Sequence, residues 1–95
     1  MKAKMTNFDR EMLVKNVKSY LYWQMEADQN MREGQYFSMH AVSVMLGYLH
    51  DIAMTCAQVD VEGEWDSIYQ EASERARKEF MESQNNVKEA RKGMK

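Results

Sequence analysis

Two histidines, fifteen acidic side chains and a single cysteine are the groups through which this chain of 95 residues could do chemistry. His40, followed by the pair His50-Asp51, offers nitrogen and oxygen ligands of the kind that hold a metal for phosphate-ester hydrolysis. Ten residues of one continuous helical pattern separate the two histidines, which sets their backbones about 15 Å apart along the axis. Metal ligands must converge on one ion, and there is no third histidine to complete a set. Within one chain, His40 and His50 therefore read as separate structural or solvated histidines.

The acidic residues make two further patterns. Asp60, Glu62, Glu64, Asp66 and Glu71 stand at positions 1, 3, 5, 7 and 12 of a calcium-loop spacing. Such a loop turns on a glycine at position 6, where this chain has Trp65. The acids are expected instead to serve the positive end of a following helix. Glu71 and Glu74, then Glu79 and Glu82, repeat a three-residue spacing that could grip magnesium between facing helices. Ala72, Ala76 and Phe80 mark the inward side of that same helix, so these glutamates fall on its wet side beside Arg75, Arg77 and Lys78.

Nucleophilic catalysis has no visible site. Cys56 sits on an apolar helix face without a base beside it, where free cysteine acts as a small hydrophobe. Four scattered glycines form no phosphate-binding loop. No catalytic, cofactor-binding or metal residue is assigned, no cofactor is expected, and the balance leans away from an enzyme.

The elements that would position any site are helices. From Met39 to Val59 the apolar residues Val42, Met45, Leu46, Leu49, Ile52, Ala53 and Cys56 recur three and four apart, so they share one face. The chain has no proline to interrupt a helix. A first helix is expected to start after Thr6 or Asn7, either of which can cap it, and to carry Leu13, Val17, Tyr20, Leu21 and Met25 inward. Gly34 is its natural stop. A third helix follows the break at Asp60–Glu64 and carries Trp65, Ile68, Tyr69, Ala72, Ala76 and Phe80 at helical spacing. The expected fold is all-α, one domain over 1–95, with helices near 8–32, 36–58 and 64–84 and a frayed or disordered tail at 85–95. Short links make this an up-down-up bundle with the second helix most buried. Leu46, Leu49 and Ile52 belong to its predicted core, and Leu49→Ala is expected to cost about 2–5 kcal/mol.

Composition limits the partners. A net charge of −2 gives no global pull towards nucleic acid or anionic membrane. The helix at 39–59 is almost long enough for a bilayer, but Asp51, both histidines and Gln58 give it a polar stripe. Asn7-Phe8-Asp9-Arg10-Glu11 interrupts any apolar signal core after the basic N-terminal residues, so a cytoplasmic location is expected. Tyr20, Tyr22, Trp23, Tyr36, Phe37, Tyr48 and Trp65 exceed what one small core can cover, which points to self-association. Ser43 and Gly47, four apart, would let another helix come close. The expected function is a non-enzymatic protein-interaction or oligomerisation module, a homodimer or a protein docked on a partner, working through Tyr22, Trp23, Ser43, Gly47 and Tyr48. One alternative is a nucleic-acid accessory protein using Arg75, Arg77, Lys78 and the basic residues from Lys88 to Lys95. The other is a small enzyme or ligand binder with a site formed across a dimer, where His40 or Asp51 of two chains would meet.

Overall fold

Thr6 opens the first helix by exchanging hydrogen bonds with Asp9. The Asp9 amide donates to Thr6 Oγ1 at 3.1 Å, and the Thr6 amide donates back to Asp9 Oδ2 at 3.0 Å. This reciprocal cap satisfies amides that the first turn leaves without partners. In the computed structural model, which describes residues 2–32 and 39–92 with side chains up to residue 86, the helix it starts is α1 (Asn7–Arg32). Two more follow, α2 (Met39–Gln58) and α3 (Trp65–Lys92). The fold is all-α in class. A pair of two-residue strands accompanies the helices: β1 (Ala3–Lys4) runs parallel to β2 (Val59–Asp60), with Ala3 opposite Val59 and Lys4 opposite Asp60. The sequence shows no strand period here, because two residues are too few to display one.

The acid-rich break between α2 and α3 is a turn. The Glu62 amide donates to Asp60 Oδ1 at 3.0 Å, and the Glu64 amide donates to the Val61 carbonyl at 3.0 Å. Gly63 takes φ +86°, a conformation that residues with a Cβ rarely adopt. The acids thus precede or begin α3, where the helix dipole favours them. The helix does not stop at Asn85-Asn86 but continues to Lys92, past the expected end at 84. Gly34, Tyr36 and Phe37 and the expected start of the second helix at 36–38 lie outside the described residues.

Burial corrects the expected centre of the fold. The core joins Leu13, Val14 and Val17 of α1 with Ile52 of α2 and with Ile68 and Ala72 of α3. Met5, Tyr20, Leu21, Cys56 and Val61 pack around it, half-buried. Both other helices lie against α1, so α1, not α2, is the central element. Leu46 and Leu49 are not core residues: they are 59% and 46% exposed. The physical reason is rotational phase. On α2 the buried residues are Ala41 and Ile52, and Val42, Val44, Met45, Tyr48, Thr55 and Cys56 are half-buried around them. The inward face is therefore centred on 41, 45, 48 and 52, which turns Leu46 and Leu49 away from α1.

Charged side chains rivet α1 to α3. Arg10 donates to Glu71 Oε2 at 2.7 Å and to Ser67 Oγ at 2.9 Å. Arg75 donates to Glu11 at 2.8 Å, and Lys18 to Glu79 at 3.1 Å. Successively later positions of α1 thus meet successively later positions of α3. The hydrogen bond from Arg75 holds the Glu11 carboxyl below the ordinary glutamate value, against a smaller opposing effect of burial. A carboxylate lowered on folding contributes stability above its unfolded pKa and loses it as pH falls through the folded one.

Two outcomes follow for stability. In urea unfolding, Leu13→Ala costs about 2–5 kcal/mol because its side chain has no exposure. Leu49→Ala costs much less in the isolated chain, and an equal cost would contradict the assigned phase of α2. In thermal melts, Tm falls as pH drops below the ordinary glutamate value of 4.5. Part of that fall is absent from Glu11→Gln, whose side chain does not titrate. An identical acid limb in both proteins would show that the Glu11–Arg75 pair contributes nothing.

Candidate functional site

A helix packed on one neighbour normally shows polar residues to solvent on its other side. On α2 the outer side breaks that rule. Asp51 is the only Asp, Glu, Lys or Arg among its twenty residues. Its exposed positions include Met39 at 79%, Leu46 at 59%, Met54 at 47% and Leu49 at 46%. Between them lie exposed Ser43, Gly47, His50, Ala53 and Ala57. The Gly47 backbone is open, and a Cβ built there would meet nothing within 4 Å. A shallow concavity of about 350 Å³ beside it is lined by Val44, Gly47, Tyr48, His50 and Asp51. The surface is apolar, centrally notched and almost free of charge.

The five residues expected to form an interaction surface do not share one place. Tyr22 is half-buried against α3, with its ring edge-on to Phe80 at 6.5 Å and to Trp23 at 6.3 Å. Its hydroxyl donates to Glu26 Oε1 at 2.9 Å. A hydrogen bond with Ser83 pulls the phenol pKa down, but burial and the Glu26 carboxylate together leave it raised. Trp23 is half-buried and meets His40 edge-on at 6.4 Å, which ties α1 to the first turn of α2. These two aromatics therefore serve contacts within the chain. Ser43 and Gly47 stand on the open face of α2, whereas Tyr48 is half-buried in the stripe of Ala41 and Ile52 that faces α1. The outward Leu46, Leu49 and Met54 complete the open face. Their hydrophobicity is plain in the sequence, but not the side they occupy.

The arrangement gives the chemical candidates other work. His40 meets the Trp23 ring and His50 lies on the outer side of α2, and both are exposed. Glu71 reaches across to Arg10 and pairs with Arg75 on its own helix, and Glu79 reaches across to Lys18, leaving Glu74 and Glu82 exposed. Among the described residues no three His, Cys, Asp or Glu side chains come together as a metal ion would need. Cys56 packs against the core cluster. Arg75 is engaged by Glu11 and Glu71, while Arg77 and Lys78 are exposed; the side chains from Lys88 to Lys95 lie outside the described ones. No helix is long and apolar enough to cross a membrane among the described residues. Comparison with family models, with curated proteins and with solved structures finds no match.

The Trp23–His40 contact yields a direct check. Trp23→Glu places a carboxylate in the half-buried seam between α1 and α2, so it lowers Tm by several degrees or more in thermal melts. A variant with the wild-type Tm would mean that the indole carries no packing role.

Proposed function

We propose that this protein is a non-enzymatic interaction module whose working state is a homo-oligomer, a dimer in its simplest form, assembled on the outer face of α2. One observation carries the reading. A twenty-residue helix with one formal charge buries only one of its two apolar sides. Contiguous apolar surface of this kind is costly to leave wet, and a twofold contact removes it from both copies at once. The interaction residues are Ser43 and Gly47 of the original five, joined by Met39, Leu46, Leu49 and Met54; Trp23 meets the first turn of α2 at His40, and Tyr22 packs against α3. The ladder from Arg10–Glu71 to Lys18–Glu79, together with the Trp23–His40 contact, supports an up-down-up order of the helices. That order leaves α2 on the flank of α1, where its outer side is free to receive a partner. A cytoplasmic setting accords with the half-buried free thiol of Cys56.

Light scattering tests this reading. The wild type at micromolar concentration has twice the mass of one chain. Leu46→Glu sets a charge in the seam, which an apolar contact cannot solvate, and gives the single-chain mass with unchanged helical circular dichroism. A single-chain mass for the wild type across that range overturns the proposal. A Leu46→Glu protein that stays double moves the interface off α2.

A further inference from the structure

Methionine is the one residue type whose abundance the packing leaves unexplained. The chain has ten in 95 residues, of which Met1 and Met94 lie outside the described ones. Methionine is an adaptable filler of cores, yet none of the other eight is buried. Leucine, valine, isoleucine and alanine build the core instead. Met5, Met25 and Met45 are half-buried, and Met5 packs against the core cluster. Met12, Met31, Met39, Met54 and Met81 are exposed. These five are shared among all three helices, and Met12 and Met31 stand about 28 Å apart along α1. Side chains so dispersed do not make one docking patch. Around Met81 the residues three and four positions away are Arg77, Lys78, Gln84 and Asn85, all polar. What such a site offers a partner is the sulfur itself.

We infer that the exposed methionines are sites of reversible sulfoxidation, at which the chain consumes peroxide-class oxidants without losing its fold. The reaction needs only an accessible thioether. A sulfur lone pair attacks one oxygen of hydrogen peroxide, the O–O bond breaks and an S–O bond forms. The departing hydroxide takes the proton from the transferred oxygen and leaves as water. Sulfur gives up two electrons and the peroxide accepts them. The product is a polar side chain in place of an apolar one. At Met31 and Met81, each more than half exposed, the new S–O dipole stays in water and disturbs no packing. At Met5 the same oxygen would lie against the apolar cluster of Leu13 and Ile68, where a polar group without a partner is costly. Cys56, the other sulfur, packs on that cluster too. Met39 and Met54 lie on the face assigned to self-association and are covered whenever it is occupied. Met31 and Met81 stand on α1 and α3, off that face, and react whether or not the chain self-associates.

Peptide mass spectrometry of the full chain in dilute hydrogen peroxide tests this. Met31 and Met81 each gain one oxygen about five-fold or more faster than Met5. Helical circular dichroism persists while they do. Methionine sulfoxide reductases A and B, supplied together with dithiothreitol, then return both residues to the thioether. Met31→Leu combined with Met81→Leu keeps the helices and lowers the fast oxygen uptake by two atoms per chain. Oxidation of Met5 at the rate of Met31 and Met81 overturns the inference, because exposure then does not govern the chemistry. So does a loss of helical signal in step with oxidation of Met31 and Met81, and so do sulfoxides there that the reductases leave in place. Light scattering of the untreated protein separates the two readings. A single-chain mass removes self-association and leaves the rates at Met31 and Met81 as they are.

Discussion

Ala72 and Ala76 are fully buried although each offers only a methyl group. Side chains that small allow two helices to approach closely, and it is α1 that comes to them, bringing Leu13, Val14 and Val17. Ile68 closes the contact at the turn-proximal end. The rest of the molecule depends on this seam. The ion pairs flank it, Phe80 and Tyr22 extend it, and the strand pair joins the segments that lead into its two helices. Half-exposed ion pairs add little individually, so the apolar seam supplies the stabilisation and the charges select its register.

The position of α2 follows from what α1 has left. With one side of α1 committed to α3, α2 takes another through Ile52 and through the Trp23–His40 contact. Three helices around a shared axis would each turn one apolar stripe inward. Here the central helix is flanked, and each flanking helix contributes fewer large residues to the core than its sequence could supply. On α3 the expected stripe residues Trp65 and Tyr69 are exposed, as is Met81, but charged residues are interspersed with them on the outer side. On α2 the apolar surplus is large, and the same sequence that builds an inner face leaves Met39, Leu46, Leu49 and Met54 outside.

The three helices were legible in the sequence because their apolar residues recur at helical spacing and their breaks carry Thr6, Asp60 and Gly63. The phase of α2 was not. Its apolar residues cover well over half the circumference, and periodicity then defines a helix without saying which side faces in. Val42-Leu46-Leu49-Ala53 and Ala41-Met45-Tyr48-Ile52 are both acceptable stripes. Packing against α1 chose the second. The role of Trp23 was obscured in a similar way. An aromatic at the edge of a stripe can meet a neighbouring helix of its own chain or a different chain, and only the position of His40 distinguishes the two. Ion pairs such as Glu11–Arg75 were hidden for a simpler reason, being local in space and remote in sequence.

That remoteness shapes how the protein reaches this structure. The side-chain hydrogen bonds joining α1 to α3 close intervals of 57 to 64 residues. Helical proteins usually owe rapid folding to contacts between near neighbours in the chain. Here the central helix is made tens of residues before Ile68, Ala72 and Ala76. Until they arrive, Leu13, Val14 and Val17 have at most the α2 side of their packing. A helix at the heart of the fold must wait, partly uncovered, for α3 to complete it.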